Sequence, residues 1–476
     1  MKLHSVALTV CLQGWASFTM GSELHLRGGM HVDPIEEAPT IDGSIRWELP
    51  PWRPMGQPLV MDVEGFGTYH GKIGLTPDGK TMAMGTYLED KKDWQGIAGF
   101  GVATYTYVEK ARKWIPLDDN VVVELPIQGA GGDFDMDVSD HFLVISKVGY
   151  SVSGPDEVKM YVLMPSRDQT RWFDIFPSIA NDEDNKEKEA FGKSVALAEA
   201  DDNYPPIVAV GIPGRGGDRE VVGRVQVYKM ADGDGDDEFK WEKLGPSIPG
   251  NSMNFGENVK LSKNGMVLAI AEARMSDDGQ PLGLVLVFEF CEKSRKWIQK
   301  GTDIVSDWFP FDNMDLSSDG STVVAGESRS SNDQPEPMGH VRVWWYDEAK
   351  EDWVQKGVDV ESLAPECLEP PKNGYMRFGK TVSLSGDGNR LSVSVTRFTE
   401  GASKQHQIAT FDWKDDAWVK MENKIDLQFW VDRMAISDDG EVIVGALTDV
   451  YHQNVALAFE ENHDTPSFLN PQTQTN

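Results

Sequence analysis

Short runs in which apolar and polar residues alternate recur along the chain, each bounded by turn residues. In Phe378-Gly379-Lys380-Thr381-Val382-Ser383-Leu384-Ser385-Gly386-Asp387-Gly388 an aromatic-Gly pair leads into such a run and an Asp-Gly turn ends it; Phe255-Gly256 through Asn264-Gly265 repeats the arrangement. Further turns stand at Asp78-Gly79, Asp319-Gly320 and Asp439-Gly440. Alternation of period two marks strands, and Asp-Gly and Asn-Gly tolerate positive φ, so each unit predicts a tight hairpin. A third strand follows as Gly-x-Val-x-Val-aromatic, at residues 223–228, 283–288 and 339–344. The fourth is a Trp, three residues, Gly or a stand-in, two residues and an aliphatic, at 241–248, 297–304 and 353–360.

Four strands make one blade of a radial array. The Trp positions 52, 114, 172, 241, 297, 353 and 418 number seven, which predicts an all-β, seven-bladed β-propeller over residues 52–460. The second blade is the weakest copy, with Ser139-Asp140-His141 in place of the turn. The last copy holds three strands, and the Trp phrase at 52–59 stands alone ahead of every other element. Residues 52–60 are therefore expected to pair with the strand at 455–459 and close the ring, removing two open sheet edges. One Trp per blade at a constant phase predicts packing between blades.

Composition narrows the partners. Lys plus Arg is 45 against Asp plus Glu at 77, a net charge of -32. Such a surface repels phosphate backbones and anionic headgroups, which argues against nucleic acid and membrane insertion. Residues 1–22 pair a cationic start with a short apolar core and small residues, the pattern of a signal peptide. Residues 23–51 then form an N-terminal extension, 461–476 a polar tail, and the protein is expected to be secreted. An uncleaved leader is the alternative. Cys11 lies in the leader, and Cys291 and Cys367 fall two blades apart, so both are expected to be free.

The segments 191–197 (Phe-Gly-Lys-Ser-Val-Ala-Leu) and 207–213 (Ile-Val-Ala-Val-Gly-Ile-Pro) resemble the FG-GAP repeat of integrin-α-like propellers. That resemblance implies a seven-bladed propeller used for adhesion or ligand binding, with calcium at some repeats. The turn at 200–205 lacks the alternating acidic pattern, and the acidic run at 232–238 lacks the closing acid of an EF-hand loop, so no cofactor is expected beyond weak calcium binding. The hairpins are also similar to those of WD-repeat and TolB-type propellers, without the Trp-Asp and Gly-His signatures in register.

No phosphate loop, paired-His metal motif, nucleophile elbow or Cys-x-x-Cys is present. One pattern survives alignment of the repeats. Counting from the small residue at the end of strand two, Ala271, Gly326 and Ser394, the third residue onward is Arg274, Arg329 and Arg397, with Glu272 and Glu327 beside two of them. Guanidinium forks in phase at a loop face suit carboxylate or sulfate; interblade ion pairs are the alternative. The sequence thus points to a secreted, non-enzymatic module binding a protein or anionic glycan on its loop face. An extracellular propeller hydrolase acting on carbohydrate and an intracellular scaffold are the rival readings.

Overall fold

The computed structural model describes residues 52–60, 66–90, 97–117, 132–149, 156–165, 170–181, 189–199, 205–215, 221–233, 239–275, 281–306, 313–327, 339–363, 374–399, 404–421, 424–427, 429–448 and 454–462. Their strands form seven antiparallel sheets, six of them ordered from an inner strand outward in sequence order and the seventh completed on its outer edge by the N-terminal strand. Blade 4 is representative, running Asn258–Leu261, Val267–Met275, Pro281–Cys291 and Lys296–Gln299. The inner strands of successive blades contact one another in a closed circuit, the seventh against the first. The chain is a seven-bladed β-propeller, and helix among the described residues is confined to a 3-10 turn at Val360–Leu363.

The ring closes as expected. The segments Trp52–Pro54 and Leu59–Val60 pair with Asn454–Glu461, with Trp52 opposite Glu461 and Val60 opposite Val455. Arg53 Nε reinforces the seam with a 2.8 Å ion pair to Glu460. Apolar side chains interleave between neighbouring blades, so the core is a set of wedges. Val324, Val341 and Val343 of blade 5 meet Phe378, Val382, Leu391 and Phe411 of blade 6 in one of these. Each such side chain contributes about 1.5–3 kcal/mol on full burial.

The Trp phrase is an interblade latch. Nε1 of Trp114, Trp297, Trp353 and Trp418 donates to the carbonyl oxygen of Met55, Leu244, Lys300 and Lys356 respectively, at 2.7–2.8 Å. Each acceptor is the third residue after the Trp of the preceding blade's phrase, and the next residue is the glycine of that phrase. Those glycines have φ of +73° to +82°, and a Cβ on Gly56, Gly301 or Gly357 would fall 2.7–2.8 Å from the incoming indole Cδ1. Where the preceding phrase has no glycine, two indoles turn inward: Trp52 donates to Thr410 Oγ1 at 3.2 Å and Trp172 to Thr104 Oγ1 at 2.8 Å.

The Asp-Gly turns stitch one face of the ring together. In each turn the Ser or Thr hydroxyl donates to the Asp two residues on, as from Ser317 to Asp319 at 2.6 Å and Ser385 to Asp387 at 2.7 Å. The residue between them bonds its neighbours instead. Backbone N–H to O bonds run from Lys263 to Ser318, Ser318 to Gly386, Gly386 to Asp438 and Asp438 to Pro77, all at 2.8–2.9 Å. This arc spans blades 4, 5, 6, 7 and 1 and crosses the closure. Blade 2, the weakest repeat, has its inner strand broken into Gly132–Asp133 and Met136–Val138. Its turn joins blade 3 through side chains, with Ser139 Oγ and His141 N donating to Glu199.

Candidate functional site

The inner strands are sheet edges, so their outward N–H groups need acceptors from outside their own sheet. Carboxylates of the preceding blade supply them. Asp135 Oδ2 accepts from Val195 N at 3.0 Å, Asp137 Oδ2 from Leu197 N at 2.9 Å, and Asp315 Oδ2 from Leu384 N at 2.9 Å. Ser383 occupies the same phase in blade 6 and its Oγ accepts from Ile436 N at 3.2 Å.

These residues surround a central cavity of about 680 Å³ to which all seven inner strands contribute. Its lysines pair with carboxylates of a neighbouring blade: Lys72 lies 3.1 Å from Asp135, Lys260 3.3 Å from Asp315, Lys380 3.8 Å from Asp432, and Lys193 bonds Asp133. Lys263 reaches across the mouth from blade 4 to Asp438 of blade 7 at 3.1 Å, and Ser318 Oγ donates to the same carboxylate at 2.8 Å. Burial pushes the Asp137 carboxyl up to about 6, against the opposing pull of Lys260 and two backbone N–H donors. Asp315 raises the Lys260 ammonium above its ordinary value against desolvation. Each of these ion pairs joins two different blades, so together they brace the ring from inside.

The opposite face collects the connections between second and third strands and between blades. Arg274 and Arg397 lie there, inside the strands Val267–Met275 and Arg390–Thr399 and not beyond their ends, because strand pairing continues past the small residues, with the third strand in blade 4 and with both the inner and third strands in blade 6. Both are partly exposed. Arg274 faces Asp303 of its own blade at 3.8 Å. Arg329 falls outside the described residues. Most of the acidic run at 232–238 and Cys367 also lie outside them, while Cys291 is a free thiol.

The two glutamates are interior groups. Glu272 is 2% exposed; its Oε1 accepts from Asn251 N at 2.8 Å, and its Oε2 has no hydrogen-bond partner among the described residues. Glu327 is 4% exposed and lies opposite His340 in the register of blade 5. There His340 Nδ1 bonds Glu361 Oε1 at 2.6 Å, and Arg342 Nε and Nη2 grip Asp359 at 3.0 and 3.3 Å. The Glu361 hydrogen bond raises the His340 pKa, desolvation opposing it. Burial pushes Asp359 up, but Arg342 and Gln355 outweigh it and hold the carboxyl below its ordinary value. A second network joins blades 2 and 3: Glu189 receives Arg224 at 2.9 and 3.1 Å, and Arg215 spans from the Glu189 carbonyl oxygen to Asp156.

No family model and no curated protein matches the chain. Among solved structures it is similar to a chain of the mitotic checkpoint complex, at 12% identity over 93% of this chain and 99% of that one, with a TM-score of 0.46. It is also similar to the β-propeller domain of Myceliophteria thermophila Cps50 (Swd1), at 8% identity, 84% and 98% coverage and a TM-score of 0.45. The Dos1 propeller aligns at 10% identity, 86% and 95% coverage and a TM-score of 0.44. With likeness at this level, the strand pairing itself establishes a seven-bladed β-propeller of four-stranded blades.

Proposed function

We propose that the protein is an exported, non-enzymatic binding module that holds a protein partner on its loop face. The observation that carries this reading is the difference between the two faces. On the turn face, five of the hairpin connections are five residues long, at 76–80, 262–266, 317–321, 385–389 and 437–441, and their backbones bond one another. On the loop face the connections between second and third strands run from five residues in blade 4 to twelve in blade 5. A rigid ring that carries its longest connections on one face is the arrangement in which loops carry recognition.

Arg274, Arg329 and Arg397 are the recognition groups in this reading, suited to carboxylates on the partner or to an anionic glycan. The test is a protein and glycan ligand array probed with the wild type and with an Arg274→Gln/Arg329→Gln/Arg397→Gln variant. The reading expects the variant to lose the captured ligand while its melting temperature stays put, since exposed ion pairs contribute about 0–1 kcal/mol each. A variant that binds like the wild type, or turnover of a glycan substrate by the wild type, contradicts it. N-terminal sequencing of the mature protein tests export.

A further inference from the structure

Blade 5 departs from the repeat at one point. In blades 2, 3, 4, 6 and 7 the segment at the end of the outer-strand phrase returns as a short strand against the third strand, at Ile179–Ala180, Ile248–Pro249, Ile304–Ser306, Ile425–Leu427 and Leu59–Val60. In blade 5 the same segment winds into the 3-10 turn Val360–Leu363, which carries Glu361 beneath the start of the third strand. We propose that His340, Asp359 and Glu361 there form a site for a divalent transition-metal ion of the zinc class.

One ligand atom from each residue lies within 4.8 Å of the others. A tetrahedral ion holds N and O ligands at about 2.0–2.2 Å, which separates them by about 3.3 Å. The 2.6 Å contact between His340 Nδ1 and Glu361 Oε1 therefore needs to open by well under 1 Å. The ion takes the place of the proton in that contact; the proton leaves to solvent and the imidazole binds as a neutral ligand. The Asp359 and Glu361 carboxylates supply two negative charges to such an ion, and Glu361 and Glu327 both act electrostatically on His340.

Each carboxylate ligand is already aimed by an outer partner. Val341 N donates to Glu361 Oε2 at 3.1 Å, while Arg342 and Gln355 fix Asp359, Gln355 Nε2 at 2.8 Å. Such partners orient ligands and raise affinity. The imidazole favours zinc-class ions over calcium and magnesium, which prefer all-oxygen sets. Three protein ligands leave a coordination position open, and His340, 18% exposed at its side chain, gives access to it from the loop face.

The experiment is calorimetric titration of the chelator-treated full chain with zinc chloride, and separately with magnesium chloride, alongside His340→Gln and Glu361→Gln. One zinc ion per chain with a dissociation constant of about 10 µM or tighter is expected, weakened at least about tenfold in each variant, with no comparable magnesium binding. Zinc binding weaker than about 100 µM, or equally tight in both variants, overturns the site. Thermal melts establish that the variants fold. If either does not, cobalt(II) absorption of the wild type decides: a ligand-field spectrum distinct from the hydrated ion supports the site, and the hydrated-ion spectrum alone overturns it.

Discussion

The indole nitrogen of Trp114 donates to the main-chain oxygen of Met55 at 2.7 Å, joining the outer strand of the first blade to the segment that completes the seventh. The same bond recurs between Trp297 and Leu244, Trp353 and Lys300, and Trp418 and Lys356. The closing segment is thus held on one side by strand pairing and on the other by a latch that ordinary blade junctions also use.

The latches should be separable from simple burial. Replacing Trp297 or Trp353 with Phe keeps an aromatic ring but strands the carbonyl oxygen of Leu244 or Lys300. Denaturant unfolding should show a loss of about 1–3 kcal/mol. Gly301→Ala, which adds a Cβ 2.8 Å from Trp353 at positive φ, should cost at least as much as the Trp353→Phe change. Unchanged stability in these variants would remove the latch from the account.

Two of the cavity lysines, Lys263 and Lys260, should differ. Lys263 bonds Asp438 at an open mouth, and Lys263→Ala should cost about 0–1 kcal/mol. Lys260→Met leaves Asp315 and the deeply placed Asp137 without their cation. The cost should be about 2 kcal/mol, short of a fully buried pair because the Lys260 side chain keeps 40% exposure to the lumen. Equal losses, measured by denaturant unfolding, would refute the distinction.

Repeat analysis reveals sameness, and that decides what was legible. The Trp and Gly of each phrase perform the same act in several blades, so their spacing exposed the ring, its closure and its blade number. The cavity girdle was hidden because Gly74, Asp137, Ala196, Lys260, Asp315, Ser383 and Ala435 share one phase but no residue type. They work by complementing the next blade. His340 and Glu361 were hidden for a related reason: they meet only because blade 5 replaces a strand with a turn. Counting to Arg274 and Arg397 found partly exposed groups on the loop face, but Glu272, beside Arg274, and Glu327, beside Arg329 in sequence, are interior.

Acid should weaken the fold through His406. It is 5% exposed, bonded to Thr396 Oγ1 at 3.1 Å, and burial, aided by Lys404, lowers its pKa from 6.5 to about 4. Between those values the unfolded chain binds the proton and the folded chain does not, so stability is complete above about pH 6.5 and falls as pH drops towards 4. The limiting slope for one group is about 1.4 kcal/mol per pH unit. His406→Gln should reduce the slope of unfolding free energy against pH across that window; an unchanged slope would contradict the assignment.

Calcium should not be needed for folding. Asp78, Asp319, Asp387 and Asp439 each accept a hydroxyl and a backbone N–H of their own turn through Oδ1, well short of the six to eight oxygens the ion takes. A calcium-selective chelator should leave the melting temperature in place, and a fall of more than about 10 °C would count against this.

Closure of the ring by its N-terminal strand is the claim on which the rest depends, and a short bismaleimide tests it directly. In a chain whose three native cysteines are changed to Ser, Arg53→Cys and Glu460→Cys place two thiols at directly paired positions of the seam. The account predicts an intrachain cross-link in the monomer, found by mass spectrometry as one peptide joining residues 53 and 460. Cross-linked dimers alone, or monomer without the link, would show that the N-terminal strand does not complete the seventh blade.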